Sequence, residues 1–364
     1  MSGQERYYTG KKLCPEHYGS RMLTVIMRVY RPGDEAGMEA CIWEEYQGTY
    51  HNKDLYEPEY LAKAAGSGTH TFLVAQTRAG EIAGMLILEA SGKTESLCGI
   101  ESLFIRKKYR GYGLSGPFLQ YGTEIALSGR YAAAYACPVL FHDITQRLLY
   151  RMGFRATGFL LNVFDEAEMV HSLQKGKNKK KSLGLQFLPI GKRDAGTLYV
   201  PAEHREFIAK IYRSLSMKFR MVQGSLGDRK GMPAVSELSC HASRRQKSLE
   251  IRILHTGMDL PERMAEIHAG YPPERMWTAN VFLNMEERWA VWAYGQLRKL
   301  HYFFTGLCSL GKAGEYMILH YMDGVECFWG DLMVSPEFAE ILKYVKKQYE
   351  RRNVHEKKKT KHPP

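Results

Sequence analysis

Apolar and polar positions alternate along residues 23–30, where β-branched side chains predominate, and this pattern predicts a strand. Apolar residues then recur at helical spacing between Glu35 and Tyr46, which predicts an amphipathic helix. A second short helix is predicted at 58–65, because it opens with a proline in its first turn. Residues 1–22 are polar and show no clear period, so they are predicted to form a loose N-terminal arm.

A run of strands and helices follows as far as residue 163. The predicted strands lie at 71–75, 82–89, 96–105, 132–140 and 154–163. The predicted helices lie at 116–127 and 144–152. The first strands are joined by turns and the later ones by helices, so the order β-α-α-β-β-β-loop-α-β-α-β predicts an α+β fold with a mixed sheet.

The pattern dissolves into polar, lysine-rich sequence after residue 165, and a length of 364 residues is enough for two domains. We predict five segments. They are an N-terminal arm at 1–22, a first domain at 23–165, a basic linker at 166–187, a second domain at 188–352 and a basic tail at 353–364. The second domain is predicted to contain a helix at 204–215.

An internal repeat links the two predicted domains. Leu149–Phe159 can be laid over Leu297–Leu307, and in both segments a helix ends at an aromatic residue before Thr-Gly and an apolar strand. Further strands are predicted nearby at 278–283 and 317–321. The repeat predicts that the chain contains two copies of one fold.

The net charge of +12 favours binding of a polyanion, such as nucleic acid or a phosphorylated cofactor. Much of the excess, however, lies in two lysine runs, at 175–181 and 357–361. These runs lack interleaved aromatic residues that could stack on bases, so solvated linkers are the preferred interpretation. Nucleic-acid binding through the runs is kept as a weaker alternative.

The seven cysteines are scattered without a Cys-x-x-Cys pair, which disfavours a disulfide framework and a zinc ribbon, and no metal is predicted. The N-terminus has no apolar core of a signal peptide, and no apolar run approaches the length of a membrane span. We therefore expect a cytoplasmic protein without a membrane partner.

The segment Leu103–Pro117 has the order strand, glycine-spaced loop, helix start. Loop N–H groups and the positive end of a helix dipole together can hold a diphosphate. Gly111 and Gly113 would let the backbone approach the phosphate oxygens, because no Cβ is in the way. Arg110 and the basic residues before it would supply positive charge.

Two motifs resemble those of the GNAT N-acetyltransferases. Arg110-Gly-Tyr-Gly-Leu-Ser115 resembles the family's Arg/Gln-x-x-Gly-x-Gly/Ala motif, with Ser115 as a small replacement for the last residue. Leu149-Tyr-Arg-Met-Gly-Phe154 resembles the family's Leu-Tyr-x-x-x-Gly-Phe signature. The resemblance implies a GNAT fold with a mixed, centrally splayed sheet, followed by a second GNAT-like α/β domain, and acetyl-CoA as co-substrate.

The resemblance also implies a set of cofactor-binding residues. The main chain around Leu103, Phe104 and Ile105 would pair with the pantetheine arm. The loop and helix start would hold the pyrophosphate through Arg110, Gly111, Tyr112, Gly113, Leu114, Ser115 and Gly116. His142 would contact CoA or act as a base, with a structural role as the alternative, and Asp143 beside it would cap the following helix.

Two residues are implied to be catalytic. Tyr150 would protonate the departing thiolate, and the alternative is that it packs its helix against the sheet. Glu101 would take a proton from the substrate ammonium, and the alternative is a surface carboxylate on an alternating strand.

The second half departs from the family's pattern. His255-Thr-Gly-Met-Asp259 stands where the glycine loop is due, Arg298 stands in place of Tyr150, and His301 replaces Gly153. This half resembles the degenerate C-terminal domain of some two-domain acetyltransferases, which shapes the substrate cleft or a homodimer and does not bind CoA productively.

The favoured function is therefore an acyl-CoA-dependent N-acyltransferase, most simply an acetyl-CoA:amine N-acetyltransferase, which acts by direct transfer to a small-molecule or peptide amine. The alternative is a non-catalytic, CoA-binding regulatory or scaffold protein of the same fold.

Overall fold

The computed structural model describes residues 5–352 except 15–18, 51, 92–95, 130, 166–179, 192–195, 273–276, 311–313, 323–324 and 326. The chain forms two compact units, of which unit 1 ends its main segment at Cys137 and unit 2 begins at Pro138. This division falls inside the predicted domain 23–165, so the predicted domain limits stay a prediction. The basic tail and most of the basic linker lie outside the described residues.

Among its described residues, unit 1 contains six strands and three α-helices. The strands are β1 (Arg6–Cys14), β2 (Gly19–Val29), β3 (His70–Thr77), β4 (Ile82–Ala90), β5 (Leu97–Ile105) and β6 (Ala133–Ala136). The helices are α1 (Glu35–Tyr46), α2 (Pro58–Ser67) and α3 (Ser115–Ser128). Neighbouring strands pair in chain order, antiparallel from β1 to β5 and parallel between β5 and β6.

The core of unit 1 lies between α1, α2 and one face of the sheet. Met38 and Ile42 of α1 and Leu61 of α2 are fully buried against sheet residues that include Phe72 and Met85. The helical spacing of the apolar residues after Glu35 places them on one side of α1, and this side packs against the sheet.

The N-terminal segment is more ordered than its sequence indicates. Residues 6–14 form β1, which pairs antiparallel with β2 from Arg6 opposite Met27 to Cys14 opposite Gly19. Along β1 the even-numbered side chains are the more buried ones, a period of two that polar residues such as Tyr8 and Lys12 conceal in the sequence.

Unit 2 contains nine strands and five helices among its described residues. The strands are β7 (Arg155–Asp165), β8 (Lys180–Pro189), β9 (Thr197–Val200), β10 (Arg220–Gln223), β11 (Glu237–Ser243), β12 (Ser248–His255), β13 (Thr278–Asn284), β14 (Phe303–Ser309) and β15 (Glu315–Met322). The helices are α4 (Ile144–Arg151), α5 (Ala202–Ser214), α6 (Leu260–Gly270), α7 (Ala290–Lys299) and α8 (Pro336–Arg351).

Seven of these strands form a mixed sheet in the order β8-β7-β14-β15-β13-β12-β11, and β9 pairs with β10 separately. Strand β8 begins inside the predicted basic linker, at Lys180. The Lys180 side chain is buried, and its Nζ donates to the carbonyl of Lys247 at 2.8 Å. Lys180, which the sequence places in the linker, is therefore part of the sheet.

The order of elements in the chain repeats. The series β5-α3-β6-α4-β7-β8 recurs as β12-α6-β13-α7-β14-β15, and β12 pairs parallel with β13 as β5 does with β6. The two copies of the Thr-Gly segment face each other in unit 2, where Gly158 of β7 lies opposite Gly306 of β14. No helix among the described residues is long and apolar enough to cross a membrane.

Candidate functional site

The central N–H groups of the loop between β5 and α3 make no hydrogen bond to the described part of the chain. A short 3-10 turn at Lys107–Tyr109 precedes Gly111 and Gly113, which have positive φ angles of 86° and 76°. Within the part of the chain that the structure describes, no protein acceptor takes the N–H groups of residues 111–114. These donors lie just before the N-terminus of α3, where the helix dipole is positive, and together they can bind an anion.

The positive charges of this loop are largely neutralised by carboxylates. Arg106 Nε lies 2.6 Å from Glu44 Oε1, and Lys108 Nζ lies 2.8 Å from Glu81. Arg110 forms an ion pair with Glu45. The basic residues predicted to supply positive charge to a diphosphate therefore have carboxylate partners, with the exception of Lys107, whose side chain has none in the part of the chain that the structure describes.

Arg110 also holds the loop against the preceding strand. Its Nε donates to the carbonyl of Ile105 at 2.9 Å, while its terminal nitrogen binds Glu45 of α1. The side chain joins the end of β5, the loop and α1. The geometry gives Arg110 a positioning role in the loop.

The end of β5 separates from β6. The two strands pair in register at Leu97–Gly99 only, and within unit 1 the edge of β5 from Ile100 to Ile105 has no strand on that side among the described residues. The main chain at Leu103 and Ile105, predicted to pair with pantetheine, lies on this edge. An extended ligand could add to such an edge as a strand does.

Glu101 lies at a bulge in β5. The register with β4 shifts between Leu86, opposite Leu103, and Leu88, opposite Ile100, so β5 has one extra residue there. Bulges often lie next to active sites because they redirect a side chain. Here the bulge leaves Glu101 exposed to solvent, as required of a group that meets a substrate.

The Glu101 carboxyl is hydrogen-bonded to Tyr135 of β6. Desolvation by the surrounding protein raises the pKa of Glu101, the Tyr135 hydroxyl lowers it in part, and the charge of Glu89 raises it further. Gly99 makes room for the pair, since a Cβ there would lie 2.4 Å from Glu101 Oε1 and 2.9 Å from the Tyr135 hydroxyl. No motif in the sequence singles out Tyr135, because its role depends on the parallel register of β5 and β6.

Aromatic side chains line the next part of β5. Phe104, predicted to contact the cofactor through its main chain, has its side chain buried 5.3 Å from the ring of Tyr50 and 5.9 Å from that of Tyr46. The Tyr50 hydroxyl bonds to Ser102, and burial raises the pKa of Tyr46 to about 12. Tyr46 and Tyr50 were not predicted as site residues, since isolated tyrosines carry no motif.

Tyr150 occupies a different face of its helix from the family's tyrosine. The family's signature has three residues between tyrosine and glycine, whereas this chain has only Arg151 and Met152 before Gly153. Leu149 is fully buried in α4, and Tyr150, one position later, is 38% exposed. The guanidinium of Arg155 lies 4.5 Å from the centre of the Tyr150 ring, a cation–π contact.

His142 and Asp143 precede α4 in unit 2. Burial lowers the pKa of His142, and its Nδ1 is a buried polar atom without a partner in the described chain. Asp143 occupies the N-cap position, but its side chain makes no capping hydrogen bond and instead binds Arg147 Nε at 2.6 Å. Asp143 therefore stands at the predicted cap position, but its carboxylate pairs with Arg147 and does not cap the helix.

The corresponding loop of the second copy is closed by the chain itself. Four residues join β12 to α6, against nine between β5 and α3. The N–H groups of Gly257, Met258 and Asp259 donate to Ser236 Oγ (2.9 Å), the carbonyl of Pro233 (2.8 Å) and the carbonyl of Ala234 (3.2 Å). The segment 233–236 occupies the donors that an anion would need.

Among the described residues, no group of three or more His, Cys, Asp or Glu side chains could hold a metal ion. The site thus consists of an open loop of N–H donors, a splayed strand edge and a carboxyl group with a raised pKa at a bulge.

Residues 36–154 match the model of the acetyltransferase (GNAT) family. No curated protein matches the chain. One similar solved structure is a GNAT superfamily phosphinothricin acetyltransferase from Sinorhizobium meliloti in complex with AcCoA, 14% identical, with 47% of this chain and 90% of that chain covered and a TM-score of 0.37. Another is a spermidine/spermine N-acetyltransferase from Vibrio cholerae in complex with manganese ions, 12% identical, with 46% and 92% covered and a TM-score of 0.37. The similarity to the acetyltransferase (GNAT) family thus extends over residues 36–154 of the chain.

Proposed function

We propose that the chain is an acetyl-CoA-dependent N-acetyltransferase that acts by direct transfer to an amine of a small molecule or peptide. The observation that carries the proposal is the set of N–H groups at 111–114, which stay open beside the helix dipole of α3. In the second copy the equivalent donors are taken by residues 233–236. Of these two loops, the one between β5 and α3 is therefore proposed to receive a diphosphate.

The fit of CoA to unit 1 is supported by two further features. Gly111 and Gly113 are exposed and adopt positive φ, so the backbone can approach phosphate oxygens at both positions. The separation of β5 from β6 exposes the main chain of Leu103 and Ile105 to an extended pantetheine arm.

Glu101 is proposed as the general base. The amine reacts only in its neutral form, so a proton must leave the substrate ammonium before or during attack. A carboxyl group with a raised pKa is a better base near neutral pH than an ordinary one, and Glu101 has such a shift at an exposed bulge. The proton passes to Glu101 directly or through one water.

The transfer forms a C–N bond and breaks the C–S bond of the thioester. The carbonyl oxygen gains charge as the amine attacks, and main-chain N–H groups on the free edge of β5 can stabilise it. The thiolate then needs a proton, and Tyr150, which is 38% exposed, is proposed as its source. His142 is proposed to contact the cofactor.

Calorimetric titration with acetyl-CoA tests the cofactor part of the proposal. We expect saturable binding to the full chain, and loss of binding in Gly113→Val, because that Cβ would lie 2.9 Å from the Tyr8 hydroxyl in a strained conformation. Gly191→Val is a matched control, since a Cβ there meets no atom within 4 Å. Absence of binding to the wild type at millimolar acetyl-CoA would contradict the proposal.

A further inference from the structure

The N-terminal strand β1 packs along α3 and along the loop between β5 and α3. Arg6 binds Glu124 at 2.5 Å, and its guanidinium lies 4.1 Å from the ring centre of Tyr121. Two residues later, the Tyr8 hydroxyl donates to the carbonyl of Tyr112 at 3.1 Å. Because side chains of a strand alternate between its faces, the face of β1 with even-numbered residues follows α3 and the loop.

Two glycines permit the close approach of strand and loop. A Cβ on Gly10 would lie 2.0 Å from the carbonyl oxygen of Tyr112, so only glycine fits there. On the loop side, a Cβ on Gly111 would lie 3.2 Å from both Cδ and Cε of Lys12. The aliphatic stem of Lys12 therefore crosses the loop directly at Gly111.

Lys12 brings an uncompensated positive charge to this position. No carboxylate partner of Lys12 exists among the described residues, and its Nζ lies 5.8 Å from the ring centre of Tyr112. The neighbouring cations Arg106, Lys108 and Arg110 are paired with Glu44, Glu81 and Glu45 respectively.

This balance of charge matters for a dianionic ligand. The loop N–H groups carry partial positive charges, but the Arg106–Glu44 and Arg110–Glu45 ion pairs are close to neutral and add little net charge to attract a diphosphate. A lysine ammonium is a compact point charge on a flexible stem and can follow phosphate oxygens. Lys12 is placed where such a charge is needed.

We propose that Lys12 is a cofactor-binding residue that contacts the diphosphate of CoA, and that β1 is part of the cofactor site. This inference rests on the proposed function. Tyr8 and Gly10 are the positioning residues, since they fix β1 against Tyr112 and thereby place Lys12 at Gly111.

Calorimetric titration of the full chain with CoA tests the inference through Lys12→Ala. Loss of a charge-assisted contact should weaken binding about tenfold. The binding should also depend less on salt concentration, because one fewer charge pair is screened. Lys12→Arg should retain most of the affinity. Lys11→Ala is the matched control, because Lys11 precedes Lys12 in β1 and its side chain lies on the opposite, exposed face. This variant should bind CoA as the wild type does.

Titration with dephospho-CoA shows which phosphate is contacted. The same loss in Lys12→Ala is expected, because this ligand keeps the diphosphate and lacks only the 3′-phosphate. A loss that disappears with dephospho-CoA would overturn the diphosphate assignment. Equal affinities of the Lys12→Ala and Lys11→Ala variants, or a loss in Lys107→Ala alone, would overturn the role of Lys12. These results leave the proposed function intact, whereas a wild type that does not bind CoA contradicts the function itself.

Discussion

Gly158 and Gly306 occupy equivalent positions in the two copies of the repeat and lie directly opposite each other in the antiparallel pair of β7 and β14. A Cβ built on either glycine would lie 2.4 Å from the Cα of the other. The Thr-Gly recurrence of the sequence is therefore a contact in the structure, and glycine is required there by close approach of two backbones.

We predict that Gly158→Ala and Gly306→Ala each lower the free energy of unfolding by about 2 kcal/mol or more, because a new methyl group must displace backbone atoms. The double variant should be at least as unstable as either single one, since the two methyl groups would meet each other. Urea unfolding of the full chain measures the effect. Gly270→Ala is the control and should change little, because a Cβ there meets no atom within 4 Å. A pair of single variants as stable as this control would contradict the close approach.

The sequence predicts the elements around the candidate site well. The strand expected at 96–105 is β5 at Leu97–Ile105, and the helix expected at 116–127 is α3 at Ser115–Ser128. These segments carry strong local signals, namely apolar residues along the strand, glycines in the turn and a proline in the first helical turn.

Other features depend on contacts between distant residues. Strand β1 has tyrosines and lysines on both faces, so its period of two appears only once packing against α3 is known. The ion pairs of Arg106 and Arg110 join residues more than sixty positions apart, and the Glu101–Tyr135 pair depends on strand register. None of these contacts has a local pattern in the sequence.

The pKa of Glu101 predicts a pH dependence. Desolvation of the carboxyl group by neighbouring protein atoms and the charge of Glu89 raise this pKa, so a base of this kind becomes protonated, and inactive, at a higher pH than an ordinary glutamate does. The acid limb of kcat/KM should therefore lie above the usual range of a carboxyl group. Glu101→Gln should remove the limb and lower kcat/KM at pH 7.5 about 100-fold.

Glu89→Gln tests the identity of the titrating base while leaving Glu101 itself in place. Removal of the Glu89 charge should lower the pKa of Glu101, which moves the acid limb to lower pH while activity at pH 7.5 stays close to that of the wild type. A limb at the same pH in wild type and in Glu89→Gln would show that Glu101 is not the titrating base.

The same pKa shift predicts how stability depends on pH. A carboxyl group whose pKa is raised by folding costs stability once pH exceeds its unfolded value, because the folded protein disfavours the charged form. Glu101→Gln should therefore raise the midpoint of thermal unfolding at pH 8 and leave it unchanged at pH 4. Equal midpoints of the variant and wild type at both pH values would contradict the shift.

Tyr150→Phe tests the proposed acid. If Tyr150 protonates the thiolate, kcat should fall about 100-fold with little change in the KM of acetyl-CoA, since only the departing group loses its proton donor. Tyr135→Phe is a useful comparison, because it should move the pH profile through Glu101 instead. Unchanged kcat in Tyr150→Phe would assign Tyr150 to packing with Arg155.

The closed loop of the second copy predicts one cofactor per chain. Calorimetry should give a stoichiometry of one, because Ser236, Pro233 and Ala234 take the N–H groups of residues 257–259. Gly113→Val, which disturbs only the first loop, should therefore leave no residual binding. A second equivalent of CoA bound by the wild type would contradict this account.

Amine-dependent release of free thiol from acetyl-CoA tests the central claim most directly. The wild type should release thiol and form an equal amount of acetylated product with at least one member of a panel of polyamines, amino acids and peptides, and Glu101→Gln should be about 100-fold slower. CoA binding without amine-dependent thiol release across the panel would contradict the enzyme and support a non-catalytic CoA-binding protein.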